Sequence, residues 1–140
     1  MRCSFKRLIF APPLTVWRIM TDLPGAPDLF PQYRGWSITH DPRGADLVAL
    51  SHYKVNRGGD TEYVVRLSER EVGRVIEAEY LEPNLTPMHQ TVTYTLDPQD
   101  EGSRLYVVLD VKGLVGFTYM FFVIRQYLNR LKEVAEGEHV

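Results

Sequence analysis

The sequence offers little from which a covalent or metal-held scaffold could be built. Its 140 residues include a single cysteine, Cys3. An internal disulfide is therefore excluded, and no Cys/His cluster has zinc-site spacing. One lone thiol fits a reducing compartment. Neither sign of charge dominates, since 16 Lys and Arg stand against 18 Asp and Glu for a formal net charge of -2. A nucleic-acid-binding domain of this size is ordinarily basic. Long hydrophobic runs are missing too. The longest covers residues 114–124 and contains Gly116 and Thr118, whereas a membrane span needs about 20 apolar residues. Near the start, Lys6, Arg7, Pro12 and Pro13 break up the apolar residues that a signal peptide would need in series. Repeats, low-complexity stretches, phosphate-binding glycine loops, zinc-protease motifs and nucleophile elbows do not occur. These absences lead to the expectation of one soluble, cytoplasmic domain over residues 1–140, with no metal, no cofactor and no nucleic-acid partner.

What is present is ordinary globular material: 44% hydrophobic and 24% charged residues. A chain of this length buries roughly two thirds of its unfolded surface and needs no staple. Residues 3–10 read as a strand, with Phe5, Leu8 and Phe10 among its apolar members. Ala11-Pro12-Pro13 ends it, because proline cannot continue a hydrogen-bond ladder, and the prolines can open a helix. Leu14, Trp17, Ile19 and Met20 give a short helical stripe, stopped by Leu23-Pro24-Gly25. Residues 26–30 read as a second helical turn, closed by Pro31.

From Tyr33 onward the period changes to two-residue alternation. It predicts strands over residues 33–40, 45–55, 61–68, 74–81, 89–96 and 104–112. Asp41-Pro42-Arg43-Gly44, Arg57-Gly58-Gly59-Asp60 and the segment from Asp97-Pro98 to Glu101-Gly102 are hairpin connectors. Connectors this short imply an antiparallel meander. The last element, residues 115–136, repeats Phe117, Met120, Phe121, Ile124, Leu128, Leu131 and Ala135 at spacings of three or four, the mark of a helix of roughly 20 residues. Tyr119, Phe122 and Val123 widen the apolar stripe in its first half. They are either covered by loops and the short helices or left as an exposed patch able to dock on lipid or another subunit.

The expected fold is therefore α+β, a seven-stranded curved antiparallel sheet in the order β-α-α-β6-α with a long C-terminal helix. A helix of that length spans about 30 Å. It covers part of a concave sheet face without filling it, which leaves an apolar cavity.

Local residues carry a resemblance on top of this reading. Leu8-Ile9-Phe10-Ala11-Pro12-Pro13-Leu14-Thr15-Val16-Trp17 resembles the opening strand, small residue, proline and Val-Trp of the START-like (SRPBCC) superfamily. That group includes the polyketide cyclase/dehydrase and lipid-transport families and has the helix-grip fold. Thr21-Asp22 with Leu29-Phe30-Pro31 resembles the family segment that ends the helix pair, although the family's usual Pro-x-Trp is here Pro31-Gln32-Tyr33, with tryptophan at Trp36. The terminal helix falls where the family has its gripping helix. The motif match covers about the first 31 residues, and the element order matches throughout. The resemblance implies a deep pocket for a hydrophobic small molecule, entered near the start of the long helix, and no single activity.

Strand alternation supplies candidate pocket residues. The inward sets are Trp36 and Ile38; Leu47, Ala49, Tyr53 and Val55; Tyr63, Val65 and Leu67; and Ile76, Ala78 and Tyr80. Met88, Gln90, Val92 and Tyr94 form the next set, and Leu105, Val107, Leu109 and Val111 the last. A one-residue slip would flip any of them. From the strands, Trp36, Tyr53, Tyr63, Tyr80, Gln90 and Tyr94 are the ligand-binding candidates. From the helix they are Phe117, Met120, Phe121 and Ile124. Buried tyrosine hydroxyls need partners, either one another, backbone and water, or a bound ligand.

Candidates for catalysis are few. Glu77 and Glu79 share a strand face at a spacing suited to paired carboxylates, but alternation points them outward, toward solvent. His52 and His89 point outward as well. His40 ends a strand on the face of Trp36 and Ile38, at the surface or at a pocket mouth. Ser51 and Lys54 match Ser-x-x-Lys, which requires a helix and not the strand predicted here. Asn84-Leu85-Thr86 is a glycosylation triplet in form only. No catalytic residue is assigned. The leading expectation is binding of a hydrophobic or aromatic small molecule, such as a lipid, quinone or polyketide-like compound, between sheet and helix. The alternatives are a polyketide cyclase or dehydratase, and an interaction protein docking on a membrane, respiratory or ribosomal partner.

Overall fold

Alternating strands and short turns build most of the molecule, as the pattern predicts. The computed structural model describes residues 1–23, 25–54 and 58–139. Its elements run β1 (Arg2–Ile9), α1 (Pro13–Met20), α2 (Ala26–Leu29), a 3-10 turn (Pro31–Tyr33), β2 (Trp36–His40) and β3 (Leu47–Lys54). There follow β4 (Gly58–Glu71), β5 (Val75–Leu81), β6 (Pro87–Gln99), β7 (Gly102–Val111) and α3 (Leu114–His139). All neighbouring strands pair antiparallel, in the order β1-β7-β6-β5-β4-β3-β2. The strands from β2 to β7 are thus a meander, and the first strand closes the sheet at the far edge beside the last.

Most differences from the sequence reading have local causes. Pro31-Gln32-Tyr33 winds into the 3-10 turn, and Gly35, at φ +83°, redirects the chain, so β2 begins at Trp36. The connector expected at residues 57–60 is partly strand, since Gly58, Gly59 and Asp60 pair with Lys54, Tyr53 and His52. Arg57 and Pro24, each expected in a turn, lie outside the described residues. Register shifts at Leu50/Ser51, Glu69/Glu71 and Tyr80/Leu81 interrupt three successive pairings. Bulges of this kind bend and twist a sheet.

The inward faces of β4 to β7 follow the alternation. Val65, Ala78, Tyr80, Val92, Tyr94 and Val107 all sit in the main core with α1 and α3. On β3 the expectation is reversed: Val48 and Leu50 join that core, while Leu47 belongs to a small cluster with Val64 and Leu81. The reason is that residues 47–50 are buried on both faces. With no polar face, alternation carries no register information. The flip also brings His52 to the concave face, where it is exposed and stacks on Trp36 with ring centroids 5.1 Å apart. The side chains of Tyr53 and Val55, assigned to the same set, lie outside the described residues. On β1, Phe5 and Ile9 are buried, while Leu8 and Phe10 face outward. Lys132 of α3 donates to the Leu8 carbonyl (2.8 Å) and lies over the Phe10 ring.

The start of β7 fits closely against the end of β1. A side chain on Gly102 (φ +156°) would overlap the Ile9 carbonyl oxygen. The buried Ser103 hydroxyl donates to the Ala11 carbonyl at 2.7 Å, which satisfies a polar group that would otherwise cost stability.

The β2–β3 connection is fastened by Asp41, which is buried. Its carboxylate accepts hydrogen bonds from Arg43 Nε (2.9 Å), Nη2 (2.8 Å) and the Arg43 backbone N–H (2.9 Å). Arg43 Nη1 also donates to the Pro83 carbonyl at 2.6 Å, tying this connection to the β5–β6 hairpin. These hydrogen bonds hold the Asp41 pKa down to about 2. An unfolded aspartate titrates near 3.9, so the pair stabilises the fold above about pH 4, and the contribution is lost as pH falls toward about 2. Asp41→Asn is expected to lower the melting temperature at neutral pH and to flatten the acid limb over that window. A variant that melts as far below wild type near pH 2 as at neutral pH would refute this linkage.

Candidate functional site

A cavity of about 480 Å³ lies between the concave sheet face, the segment from α1 to the 3-10 turn, and the middle of α3. Its sheet wall comes from Ile38, Val48, Leu50, Val65, Ile76 and Ala78. The helical side is made by Met20, Leu23, Ala26, Phe30, Tyr33 and Tyr127, and Tyr80 and Tyr94 complete it. The exposed lining residues are His40, Ala45, Asp46 and Glu69. They mark a mouth at the β2–β3 connection and the end of β4, not at the start of α3 as the resemblance implied.

The cavity exists because each half of α3 packs differently. Near its beginning α3 lies directly on β1 and β7. There Phe121 meets Phe5 at 5.1 Å, Phe117 packs beside Phe121, and Gln90 Nε2 lies against Gly116. Met120 and Ile124 are fully packed core. Gln90, Phe117, Met120, Phe121 and Ile124 therefore fill the closed side, away from the cavity wall. Farther along the helix, Tyr127 stacks on Phe30 at 4.2 Å and 6° and meets Tyr94 edge-on at 5.9 Å. These rings hold the helix off the sheet.

Of the sequence candidates, Tyr80 and Tyr94 stand in the wall. Tyr63 and Trp36 pack behind it: Tyr63 donates a hydrogen bond to the Tyr33 hydroxyl, and Trp36 contacts both rings. Next to Tyr33, Gln32 buries both amide atoms, and among the described residues neither has a hydrogen-bond partner. Several wall residues, Val48 among them, were not singled out from the sequence. Tyr127 lies three residues after Ile124 and four before Leu131, so the helical stripe already contained it. Phe30 and Tyr33 were assigned to a turn and a strand start, and Leu50 was lost with the β3 register.

The tyrosines give the site its chemistry. Tyr80, Tyr94 and Tyr127 are buried, yet among the described residues their hydroxyls have no hydrogen-bond partner and are not among the sealed-off polar atoms. They open on the cavity. Burial pushes all three pKa values up, as it does for Tyr33 and Tyr63. They remain neutral phenols at physiological pH, able to donate or accept hydrogen bonds but unsuited to act as bases. The other titratable lining groups are His40, Asp46 and Glu69, at the mouth. Glu77 and Glu79 face the opposite side and pair with Arg70 (2.8 Å) and Arg66 (3.0 Å). Among the described residues no cluster of His, Cys, Asp or Glu is placed to hold a metal ion. No described helix is long and apolar enough to cross a membrane. At the start of α3, Val123 is buried, while Val115, Tyr119 and Phe122 are exposed.

The hydroxyl inventory gives a direct test. Tyr63→Phe removes a made hydrogen bond and is expected to cost about 1 kcal/mol. Tyr80→Phe, Tyr94→Phe and Tyr127→Phe remove unmade ones and should leave ligand-free stability within about 0.5 kcal/mol of wild type. Urea unfolding midpoints separate the two classes. Large losses for the second class would mean that those hydroxyls are already bonded within the protein.

Comparison with known proteins agrees with this architecture. The family described as "Polyketide cyclase / dehydrase and lipid transport" matches residues 2–136. A Chromobacterium violaceum protein of known structure is 20% identical and superposes with a TM-score of 0.72, covering 96% of this chain and 97% of its own. A START superfamily protein from Mycobacterium smegmatis is 16% identical, with a TM-score of 0.70 and 97% of each chain covered. A solution structure from Cytophaga hutchinsonii gives 14% identity and a TM-score of 0.73 over 99% of this chain and 95% of that one. At these identities the likeness speaks for the fold. No curated protein matches the sequence.

Proposed function

Since the chain belongs to the polyketide cyclase/dehydrase and lipid-transport family, we propose that it binds a hydrophobic or aromatic small molecule in the cavity under α3. The observation that carries this reading is the set of three tyrosine hydroxyls, without partners among the described residues, that open on a largely apolar cavity of about 480 Å³. A ligand with one or more oxygen or nitrogen atoms would satisfy these groups while its body covers Val48, Leu50, Val65 and Ile76. Burial of its apolar surface supplies affinity at about 25 cal/mol per Å² before ordering costs, and the hydroxyls fix its orientation. Among the described lining residues no acid or base near neutral pKa lies deep in the cavity, which favours binding over cyclase or dehydratase turnover.

Ala78 is the residue to change. It is small, buried and part of the wall, so Ala78→Trp projects a large ring into empty space. The variant is expected to fold, by far-UV circular dichroism, and to lose the small molecule that native mass spectrometry and solvent extraction recover from wild type. Equal recovery from both proteins would refute this cavity as the binding site.

A second reading rests on the exposed Val115, Tyr119 and Phe122, which recur on one side of α3 with the exposed cations Lys112 and Arg125 nearby in sequence. Such a surface suits peripheral contact with an anionic membrane. On this reading the wild-type protein co-sediments with phosphatidylglycerol-containing vesicles and Phe122→Asp does not. Absence of wild-type protein from the vesicle pellet would eliminate it.

A further inference from the structure

The charge around the cavity mouth is one-sided. None of the described residues lining the cavity is Lys or Arg, while Asp46 and Glu69 stand at its exposed rim. The two carboxylates differ. Asp46 is approached by Arg66 at 3.4 Å, and Arg66 also bonds Glu79 at 3.0 Å on the other face of the sheet. Glu69 follows Val65 and Leu67 on the concave face of β4 and has no ion-pair partner among the described residues. Its charge is therefore uncompensated at the entrance. His40 is the remaining titratable group there.

A second and independent feature supports the space behind the rim as the place for a ligand. Tyr80, Tyr94 and Tyr127 are only 6%, 6% and 3% exposed, and among the described residues their hydroxyls, which reach into the cavity, have no hydrogen-bond partner. Phe30 stacks on Tyr127 and Tyr94 meets Tyr127 edge-on, so the interior behind the rim is aromatic, with no Lys or Arg among its described lining residues. An anionic lipid or fatty acid would bring its carboxylate or phosphate to a rim that carries Asp46 and Glu69, where the nearby Arg66 is already shared between Asp46 and Glu79.

On the premise that this cavity is the binding site, we infer that its ligand class is a hydrophobic amine, protonated at neutral pH, with the ammonium at the mouth beside Glu69 and the apolar body among the aromatic rings. Glu69 is then a specificity residue. It discriminates by charge, whereas the sheet wall discriminates by size.

A matched series tests this: 2-(2-naphthyl)ethylamine, 2-naphthaleneethanol and 2-naphthylacetate, titrated calorimetrically into the full-length protein at low salt. The amine should bind more tightly than the alcohol by about fivefold, the range of a partly exposed ion pair, and the carboxylate should bind weakest. Glu69→Gln should bring amine and alcohol to near-equal affinity, and about 0.5 M salt should shrink the same gap. Glu69 is exposed on a strand, so this variant is expected to fold, and its melting temperature checks that. If the alcohol binds but the carboxylate equals or exceeds the amine, charge selection is overturned while the cavity remains the binding site. An amine preference that persists in Glu69→Gln overturns the assignment to Glu69. If none of the three binds, and Ala78→Trp does not change what the purified protein carries, the cavity reading fails and this inference with it.

Discussion

The pairing of the first strand with the last holds the rest of the structure in place. β1 lies along β7 over its whole length, and the fit is close enough that Gly102 cannot carry a side chain beside the Ile9 carbonyl. The chain leaves β1 at one edge of the sheet and enters β2 at the other. The residues between them must therefore cross the concave face, and α1, α2 and the 3-10 turn are that crossing. α3 approaches from β7 and can lie flat only over the edge it comes from. The crossing segment and α3 meet at Phe30 and Tyr127, and the space beneath the meeting point is the cavity. Its position follows from connectivity, and no special pocket-forming sequence is required.

What lines that space is a different question from why it is there. A void of this size lined only by aliphatic side chains would be a stability defect, since lost contacts go uncompensated. Here the deep wall contains phenols, whose rings fill part of the volume and whose hydroxyls face what is left. Tyr33 and Tyr63 show the alternative fate, because they satisfy each other. Among the described residues the hydroxyls of Tyr80, Tyr94 and Tyr127 have no such partner.

The sequence made the element order legible because hydrophobic contrast was strong there. β4 through β7 have one core face and one solvated face, so Tyr80, Tyr94 and Val107 could be placed by alternation alone. The spacing of Met120, Ile124, Leu128 and Leu131 placed the buried side of α3. β3 was opaque for a physical reason. Arg43 and the β5–β6 hairpin cover its outer face, Leu47 packs there with Val64 and Leu81, and four buried residues in a row leave no period to read. The same loss of contrast hid Leu50 and misplaced His52.

Locating the cavity required distances that periodicity does not contain. The sequence shows that Phe117, Met120 and Phe121 are on the same helical face as Ile124. It does not show that Phe5 rises from β1 to meet Phe121 and closes that end. Nor does it show that Phe30, in a four-residue helix's cap, turns to stack on Tyr127. Both contacts join residues about a hundred positions apart, and each decides whether the adjacent space is filled or open. A pattern along the chain assigns faces, whereas the volume between two faces depends on which large side chains from distant elements arrive there. In this fold the helical stripe runs past the cavity and the core alike, and it is the aromatic contacts across it that separate a packing residue such as Phe121 from a wall residue such as Tyr127.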